Sequence, residues 1–329
     1  MEYTTLGRTG LKVGVAGLGC GGFSRLGLSQ GKSEAEAIGL IHEAIDLGVN
    51  LFDTAASYGT EPVLGKALSS VPRDGVVICT KAPFGISNPN STPEKAVASL
   101  DRSLKELGTD YIDVYQLHGI APGAYQHAAD AIAPALLREK EKGKFRHLGI
   151  TETAPNDPNH EMVARAAPAG MWDVVMLAFH MMHQNARREA FPLTRQHGIG
   201  TLLMFAVRNI FSRTDRLIDT MRQLAEAGQV PRDLAESDDP LRFLVHPAGA
   251  ASVIDAAYRF VRHEPGVDVV LFGTGERAHL RSNIASILKP PLPDADRQRL
   301  AELFGDLVGV GLDAPHLTPL TQVTRAQPS

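Results

Sequence analysis

Four side chains in the first part of this chain are of types that together could move a proton onto a carbonyl oxygen. They are Asp53, Tyr58, Lys81 and His118. A tyrosine is a weak acid with an unperturbed pKa of about 10, and a nearby lysine ammonium favours the phenolate and so lowers that pKa. A carboxylate can hold the lysine in place, and a histidine can orient the carbonyl. If the four converge in space, they predict the reduction of a carbonyl or the reverse reaction.

Three of these side chains lie at the ends of short apolar segments that predict β-strands. The segments are Val49–Asp53, Val76–Thr80 with Lys81 after it, and Tyr111–His118. Tyr58 follows Asp53 by five residues, in the next loop. A structural Asp–Lys salt bridge or a tyrosine at the rim would each be an ordinary feature. The hypothesis therefore depends on all four lying in the loops of three consecutive strands.

Predicted strands and helices alternate along the whole chain. The eight predicted strands are Val13–Gly17, Val49–Asp53, Val76–Thr80, Tyr111–His118, Phe145–Thr151, Asp173–Phe179, Gly200–Phe205 and Val267–Gly273. Most are apolar throughout, which is typical of strands buried on both faces, and the alternation indicates parallel strands. We therefore predict the α/β class and a closed (β/α)₈ TIM barrel, whose active site lies at the carboxyl ends of the strands. A single domain is expected over residues 1–329.

Capping residues mark several predicted helices. Ser33, with Glu36 three residues later, forms a capping box at the start of a helix that runs to Leu47. Thr92 followed by Pro93 predicts another helix start. Further helices are expected near residues 61–69, 126–141, 185–196 and 278–288.

A long insertion separates the seventh and eighth predicted strands. It runs from Arg208 to Gly266, about 60 residues, with helices near 215–227 and 250–263. A connection of this length is usually functional or mobile. The tail at 315–329 is expected to be irregular.

Composition excludes several classes of protein. Hydrophobic residues make up 43% of the chain, charged residues 21%, and the net charge is −4. This gives no electrostatic reason to expect binding to nucleic acid or to an anionic membrane. Cys20 and Cys79 are too few for a disulfide framework and are interpreted as small buried residues, so a cytoplasmic location is expected. The N-terminus does not resemble a signal peptide, and we see no apolar stretch long enough to span a bilayer.

The segment Gly17–Gly22 matches the G-x-G-x-x-G pattern of Rossmann dinucleotide-binding domains, which are the main alternative fold. In a Rossmann domain a helix opens at these glycines, whereas the helix signals here begin only at Ser33. A Rossmann dehydrogenase would also leave Tyr58 and Lys81 without a role. The barrel is therefore preferred, and the glycines are interpreted as a turn at its mouth.

His180 and His183 are three residues apart and could share a helical face, as metal ligands often do. A barrel metallohydrolase using His118, His180 and Asp53 is the resulting alternative. No glutamate completes a His-Glu-x-x-His pattern here, and no cysteine cluster is nearby. We predict no metal, and interpret both histidines as polar loop residues.

Two longer segments resemble the signatures of the aldo-keto reductase family. Asp53–Gly59, with Glu61 and Leu64–Leu68 after it, is similar to the first signature, and Ser99–Leu100 through Tyr111–His118 is similar to the second. The resemblance extends over nearly the full chain. It implies a TIM barrel that binds NAD(P)H without a Rossmann domain, and it implies that the four side chains named first are the catalytic tetrad.

The resemblance also implies a set of cofactor-binding residues, and here the chain departs from the family pattern. The implied residues are Gly22, Thr151, Phe179, Gly273, Thr274, Gly275, Glu276, His279 and Asn283. Thr151-Glu152 stands where the family usually has Ser-Asn, so a contact from Glu152 to the nicotinamide carboxamide is doubtful. Met176 replaces a glutamine. Phe179 replaces the tyrosine that stacks on the nicotinamide.

Charge near the last predicted strand bears on the choice of cofactor. Gly273-Thr274 and His279 stand where NADPH-preferring members have Lys-Ser and an arginine for the 2′-phosphate. Glu276 would repel that phosphate and could accept hydrogen bonds from ribose, although Arg277 and Arg281 are close in sequence. NAD(H) is slightly favoured over strict NADP(H).

The four side chains and the resemblance together imply an NAD(P)-dependent oxidoreductase that interconverts an aldehyde, ketone or aldose and its alcohol. Tyr58 would donate the proton, Lys81 would lower its pKa, Asp53 would orient Lys81 and His118 would position the oxygen. The alternative function is an NADPH-binding barrel that acts as a sensor or regulatory subunit with negligible turnover.

The identity of the small carbonyl or sugar substrate does not follow from the sequence, and neither does the oligomeric state. The pocket is expected to be formed by variable loops, for which fold alone is uninformative. These loops are Phe23-Ser24, Pro83-Phe84, Gly119–Tyr125, the insertion and the tail.

Overall fold

Parallel strands close into a barrel in the computed structural model, which describes residues 1–83 and 90–312. The barrel strands are β3 (Ala16–Gly19), β4 (Leu51–Asp53), β5 (Val77–Pro83), β6 (Ile112–Ile120), β7 (Phe145–Glu152), β8 (Val174–Ala178), β9 (Gly200–Met204) and β10 (Val269–Phe272). They pair in chain order, and β10 closes the barrel against β3. The predicted (β/α)₈ barrel is confirmed.

The first predicted strand, Val13–Gly17, is wrong in its boundaries. The chain instead forms a hairpin of β1 (Tyr3–Thr5) and β2 (Lys12–Gly14), and the barrel strand begins only at Ala16. The apolar side chains of Leu6 and Val13 pack into the barrel interior. The hairpin therefore covers the amino end of the barrel, because its apolar residues complete that part of the core.

Helices surround the barrel. They are α1 (Glu34–Asp46), α2 (Glu61–Leu68), α3 (Pro93–Leu107), α4 (Tyr125–His127), α5 (Ala133–Glu141), α6 (Glu161–Ala166), α7 (Ala186–Glu189), α8 (Phe191–Gln196), α9 (Asn209–Ser212), α10 (Thr214–Glu226), α11 (Arg232–Glu236), α12 (Val253–Arg262), α13 (Arg277–Ile287) and α14 (Asp294–Phe304). The capping box of Ser33 and Glu36 is present, and the Thr92 side chain caps α3.

The Rossmann alternative is wrong, because no long helix opens at the glycine segment. The residues after it form a short 3₁₀ segment, Arg25–Gln30, and α1 begins at Glu34. Two predicted helices are also less regular than expected. A π-helical turn at Ala128–Ile132 interrupts the one near 126–141, and the one near 185–196 is divided into α7 and α8.

The insertion between β9 and β10 is confirmed and contains α9 to α12. Phe84 and the tail at 315–329 lie outside the described residues. In the part of the chain that the structure describes, no helix combines the length and apolar character needed to cross a bilayer.

Candidate active site

A buried ion pair lies at the carboxyl ends of β4 and β5. Lys81 Nζ donates hydrogen bonds to Asp53 Oδ1 and Oδ2, both at 2.7 Å, and to the carbonyl oxygen of Thr54 at 2.8 Å. All three ammonium hydrogens therefore have acceptors. Lys81 is fully buried and Asp53 nearly so, which holds the ammonium in one position.

Burial disfavours the charged forms of both Asp53 and Lys81, and the attraction between the two charges favours those forms. Burial raises the pKa of the Asp53 carboxyl, opposed by the Lys81 ammonium. Burial also acts to lower the pKa of Lys81, but the neighbouring Asp53 carboxylate outweighs it and leaves that pKa above its ordinary value. The attraction of Asp53 therefore favours the charged form of Lys81 at the floor of the site.

Tyr58, in the loop after β4, lies above this pair. Its hydroxyl oxygen is 3.3 Å from His118 Nε2, and the Lys81 Nζ atom is 5.2 Å from the centre of its ring. Burial raises the pKa of Tyr58, and the Lys81 ammonium opposes that rise without cancelling it. The expectation of a lowered pKa is thus only partly right: the lysine acts in the predicted direction, but burial is stronger. Tyr58 keeps its proton at neutral pH.

His118 completes the group from the end of β6. Its ring meets the Tyr58 ring edge-on, with the centroids 5.5 Å apart. Burial, together with the charge of Lys81, lowers the pKa of His118 to about 3. A neutral imidazole can donate one N–H hydrogen bond, so His118 can orient an oxygen without supplying a charge. The structure therefore brings the four predicted side chains together at the barrel mouth.

Gly21 belongs to this site, although the sequence argument gave it no role. A β-carbon built at Gly21 would overlap the ring of Tyr58. A larger residue here would displace the tyrosine. The glycine segment thus makes room for Tyr58, a requirement that only the folded chain reveals.

Thr151 and Glu152, which end β7 and depart from the family's sequence pattern, both make hydrogen bonds within the protein. Thr151 Oγ1 accepts a hydrogen bond from the Gly119 N–H at 2.7 Å, so this hydroxyl joins two loops at the barrel mouth. Glu152 is buried, and its carboxylate accepts the Ala178 N–H and contacts His160 Nδ1 at 2.8 Å. Glu152 is therefore held away from any bound ligand, in agreement with the doubt raised by the sequence.

The assignment of Phe179 as the aromatic residue facing the cofactor is wrong. Met176 and Ala178 on β8 pack towards the barrel axis, so Phe179 points outward. It is fully buried and stacks on Phe260 of α12, with the ring centroids 5.5 Å apart. The alternation of side chains along a strand explains this orientation.

Phe205, after β9, places an aromatic ring at the mouth instead. It is half-buried and packs with the axis-facing residue Ala178. Its φ of 71° is a left-handed conformation that costs a non-glycine residue of the order of 1–3 kcal/mol and is found most often at functional sites. The guanidinium carbon of Arg208 lies 3.9 Å from the centre of this ring. The sequence signal was present, since Phe205 ends a predicted strand.

The loop between β10 and α13 has features that suit a dinucleotide. Gly273 is exposed, and a β-carbon at Gly22 on the neighbouring loop would meet nothing within 4 Å. Backbone can therefore approach a ligand closely here, beside the N-terminus of the helix α13, whose free N–H groups favour phosphate. Thr274 Oγ1 accepts the Glu276 N–H at 2.9 Å and shapes the turn. The roles of Gly22, Thr151, Gly275, His279 and Asn283 in binding stay predictions.

Each charged side chain around this loop has a partner. Glu276 pairs with Lys32 at 2.6 Å, and the same lysine donates to the Gly275 carbonyl oxygen at 2.7 Å. Arg277 and Arg281 both contact the Glu43 carboxylate, at 3.1 and 2.6 Å. Both arginines are therefore drawn towards α1.

The histidines after β8 form part of the core rather than a polar loop. His180 and His183 are fully buried, and His183 Nδ1 accepts the Gly309 N–H at 3.2 Å. Burial lowers the pKa of His180 to about 3, so its ring is neutral. Within residues 1–83 and 90–312 the structure shows no cluster of three ligating side chains that could hold a metal.

Known proteins share this architecture. The profile of the Aldo/keto reductase family matches residues 17–304. The chain is 27% identical to the aldo-keto reductase YhdN of Bacillus subtilis, over 98% of this chain and 99% of that one. It is 33% identical to L-galactose dehydrogenase of Arabidopsis thaliana, but that match covers 61% of this chain and only 64% of the plant protein.

Among solved structures, the aldo-keto reductase AKR11C1 from Bacillus halodurans is similar, with a TM-score of 0.69 over 92% of this chain and 96% of that one. Its sequence identity is 22%, so this likeness bears on the fold. The profile match extends over most of the chain and indicates common ancestry with the family. The chain belongs to the aldo/keto reductase family of oxidoreductases.

Proposed function

We propose that this protein interconverts a carbonyl and its alcohol with NAD(P)H, and that Tyr58 is the proton donor. One observation carries the proposal: the Tyr58 hydroxyl lies 3.3 Å from His118 Nε2, above the buried pair of Lys81 and Asp53. A protonated hydroxyl, a neutral imidazole and a fixed cation are what protonation of a carbonyl oxygen requires.

Each side chain has a separate task in this mechanism. The substrate oxygen is held between the Tyr58 hydroxyl and the His118 ring. A dinucleotide bound at the barrel mouth would supply a hydride to the carbonyl carbon, or accept one from the alcohol carbon in the reverse direction. Tyr58 transfers its proton to the oxygen as negative charge develops there, and the resulting phenolate is stabilised by the Lys81 ammonium. Asp53 keeps Lys81 charged and in place. In the oxidative direction the phenolate takes the proton from the alcohol.

The cofactor is proposed to extend from the tetrad towards the N-terminus of α13. Phe205 would offer its ring to the nicotinamide, since it is the aromatic side chain at the end of β9 and faces the mouth. NAD(H) is proposed to be accepted at least as well as NADP(H). The support is the pairing of both arginines of α13 with Glu43, which leaves a 2′-phosphate in competition with a carboxylate.

The substrate is proposed to be an aldehyde, a ketone or an aldose. The Arg208 guanidinium carbon lies 3.9 Å from the Phe205 ring centre and 5.5 Å from that of Phe23, a half-exposed residue. This surface combines apolar rings with a guanidinium cation, which suits a molecule bearing both carbon and hydroxyl groups. Because the chain is similar to L-galactose dehydrogenase over part of its length, aldoses are the first compounds to test.

The proposal is tested by stopped-flow oxidation of bound NADH and NADPH with a panel of aldoses, aldehydes and ketones. Wild-type protein should oxidise the cofactor with at least one carbonyl class, and Tyr58→Phe should not, while it still binds the cofactor. If both proteins bind cofactor and neither oxidises it across the panel, the alternative of a binding barrel with negligible turnover is supported instead.

A further inference from the structure

A glutamine side chain lies in the barrel interior directly below the tetrad. In the ladder between β5 and β6, Gln116 is the direct partner of Lys81, and on its other side it pairs with Gly149 of β7. Gln116 is fully buried. A β-carbon at Gly149 would lie 2.7 Å from Gln116 Cγ, so the glycine provides the space that this side chain occupies.

An amide at this depth needs an explanation. The interior of such a barrel is usually filled by branched apolar residues, and the layer below Gln116 follows that rule with Val114 and Leu51. Burying an amide without full hydrogen bonding is unfavourable. Within the described residues Gln116 Oε1 has no protein hydrogen-bond partner, so its contacts do not explain why an amide lies here.

The other end of the amide contacts the ion pair. Gln116 Nε2 donates to Asp53 Oδ1 at 3.4 Å, on the same oxygen that Lys81 Nζ contacts at 2.7 Å. Hydrogen bonds donated to a carboxylate favour its ionised form. Gln116 therefore acts with Lys81, and against burial, on the charge of Asp53.

We propose that Gln116 is a positioning residue of the active site, which keeps the Asp53 carboxylate ionised and oriented so that the Lys81 ammonium stays charged beneath Tyr58. The inference rests on the proposed function of Tyr58. Without the amide, the Asp53 carboxylate loses one hydrogen-bond donor and is less firmly oriented, so it holds the Lys81 ammonium less firmly beneath Tyr58. The phenolate of Tyr58 would then be less well stabilised by that cation.

Other ionisable groups face this part of the site. Those around the pair of Asp53 and Lys81 are Cys20, Tyr58, Cys79 and His118. Burial raises the pKa of both thiols well above neutrality and lowers that of His118. A titration near or above neutral pH therefore reports on Tyr58 and its ion pair.

The experiment replaces Gln116 by Met, which has similar length and no N–H donor. Two pH series are measured: kcat/KM for alcohol oxidation, and the phenolate absorbance of Tyr58, taken as the difference from the same variant carrying Tyr58→Phe. The acidic limb of the first and the midpoint of the second should both move up by about one pH unit, which corresponds to roughly tenfold lower activity on that limb. Leu202→Met, another change in the barrel interior, should leave both where they are.

A fall in activity by the same factor at every pH, with an unchanged phenolate midpoint, would mean that Gln116 only fills space. Gln116→Leu provides a second variant if the methionine variant does not fold, and the same shifts are expected of it. The absorbance series needs no substrate. It can therefore overturn the role of Gln116 even if the protein proves to have no turnover. An absence of turnover would count only against the proposed function.

Discussion

Gly21 faces the ring of Tyr58 with no room for a β-carbon between them. The tyrosine is thus positioned from two sides, by the backbone of the loop after β3 and by the edge of the His118 ring.

Gly21→Ala should lower kcat without preventing cofactor binding, because the added methyl group pushes the Tyr58 hydroxyl away from the substrate oxygen. Misplacement by about 1 Å can cost on the order of 100-fold. Gly75→Ala is a suitable control, since a β-carbon at Gly75 meets nothing within 4 Å. Steady-state kinetics and cofactor titration of both variants give the comparison. Equal kcat in the two would contradict the packing argument.

Tyr58→Phe should remove turnover while leaving cofactor affinity nearly unchanged, because only the proton donor is lost and the ring still fills its place. General acid catalysis typically contributes about 10²–10⁴-fold. Tyr115→Phe, a change to a buried tyrosine of β6 whose hydroxyl lies against Ala96 of α3, provides the control. A Tyr58→Phe variant that retains more than half of the wild-type kcat would rule out the assigned role.

Lys81→Met should shift the acidic limb of alcohol oxidation to higher pH. The base in that direction is the phenolate, and removing the cation makes it harder to form. The same change leaves Asp53 buried without its partner, which costs about 3–5 kcal/mol of unfolding free energy. Adding Asp53→Asn should recover much of that stability but not the pH profile. Denaturant unfolding and pH–rate measurements on both variants separate these effects, and an unshifted profile would reduce Lys81 to a structural partner.

Phe205→Leu and Phe179→Leu should affect different properties, the first cofactor affinity and the second stability. The first removes a ring at the barrel mouth and should weaken cofactor binding by a few-fold to about tenfold. The second removes a ring from the layer between β8 and the outer helices, so it should lower the unfolding free energy by roughly 1–3 kcal/mol and leave cofactor affinity alone. Calorimetric titration and thermal unfolding distinguish the two. If only Phe179→Leu weakened binding, the corrected assignment would fail.

The dissociation constant for NADH should be no more than about tenfold higher than that for NADPH. A 2′-phosphate would have to displace Glu43 from Arg277 and Arg281, and it would meet the carboxylate of Glu276. Glu276→Gln should therefore improve NADPH binding more than NADH binding. Dissociation constants by calorimetry test this. NADPH binding over a hundredfold tighter, about 2.7 kcal/mol, would show that one of the arginines holds the phosphate.

The parts of the site that the sequence predicted are those fixed by position along a strand. Asp53, Lys81 and His118 follow apolar segments, and parallel strands bring their carboxyl ends to one side of the barrel. Ser33 and Thr92 likewise mark helix starts through local chemistry alone.

What the sequence could not predict depends on contacts between distant segments or on the face that a residue takes. Phe179 and Phe205 each end a predicted strand, and only the alternation within the folded sheet separates the outward ring from the one at the mouth. The raised pKa of Tyr58 depends on burial, which no spacing shows. Gly21 and Gln116 matter through neighbours from other strands.

The closure of β10 against β3 joins the first barrel strand to the last, with Ala16 opposite Val270. During synthesis on the ribosome, the early strands must wait for almost the entire chain before the ring can form. Until then β3 presents an unpaired edge, which is the kind of surface that invites association with other chains. The expression yield of this protein should therefore depend on the rate of translation and on the supply of chaperones.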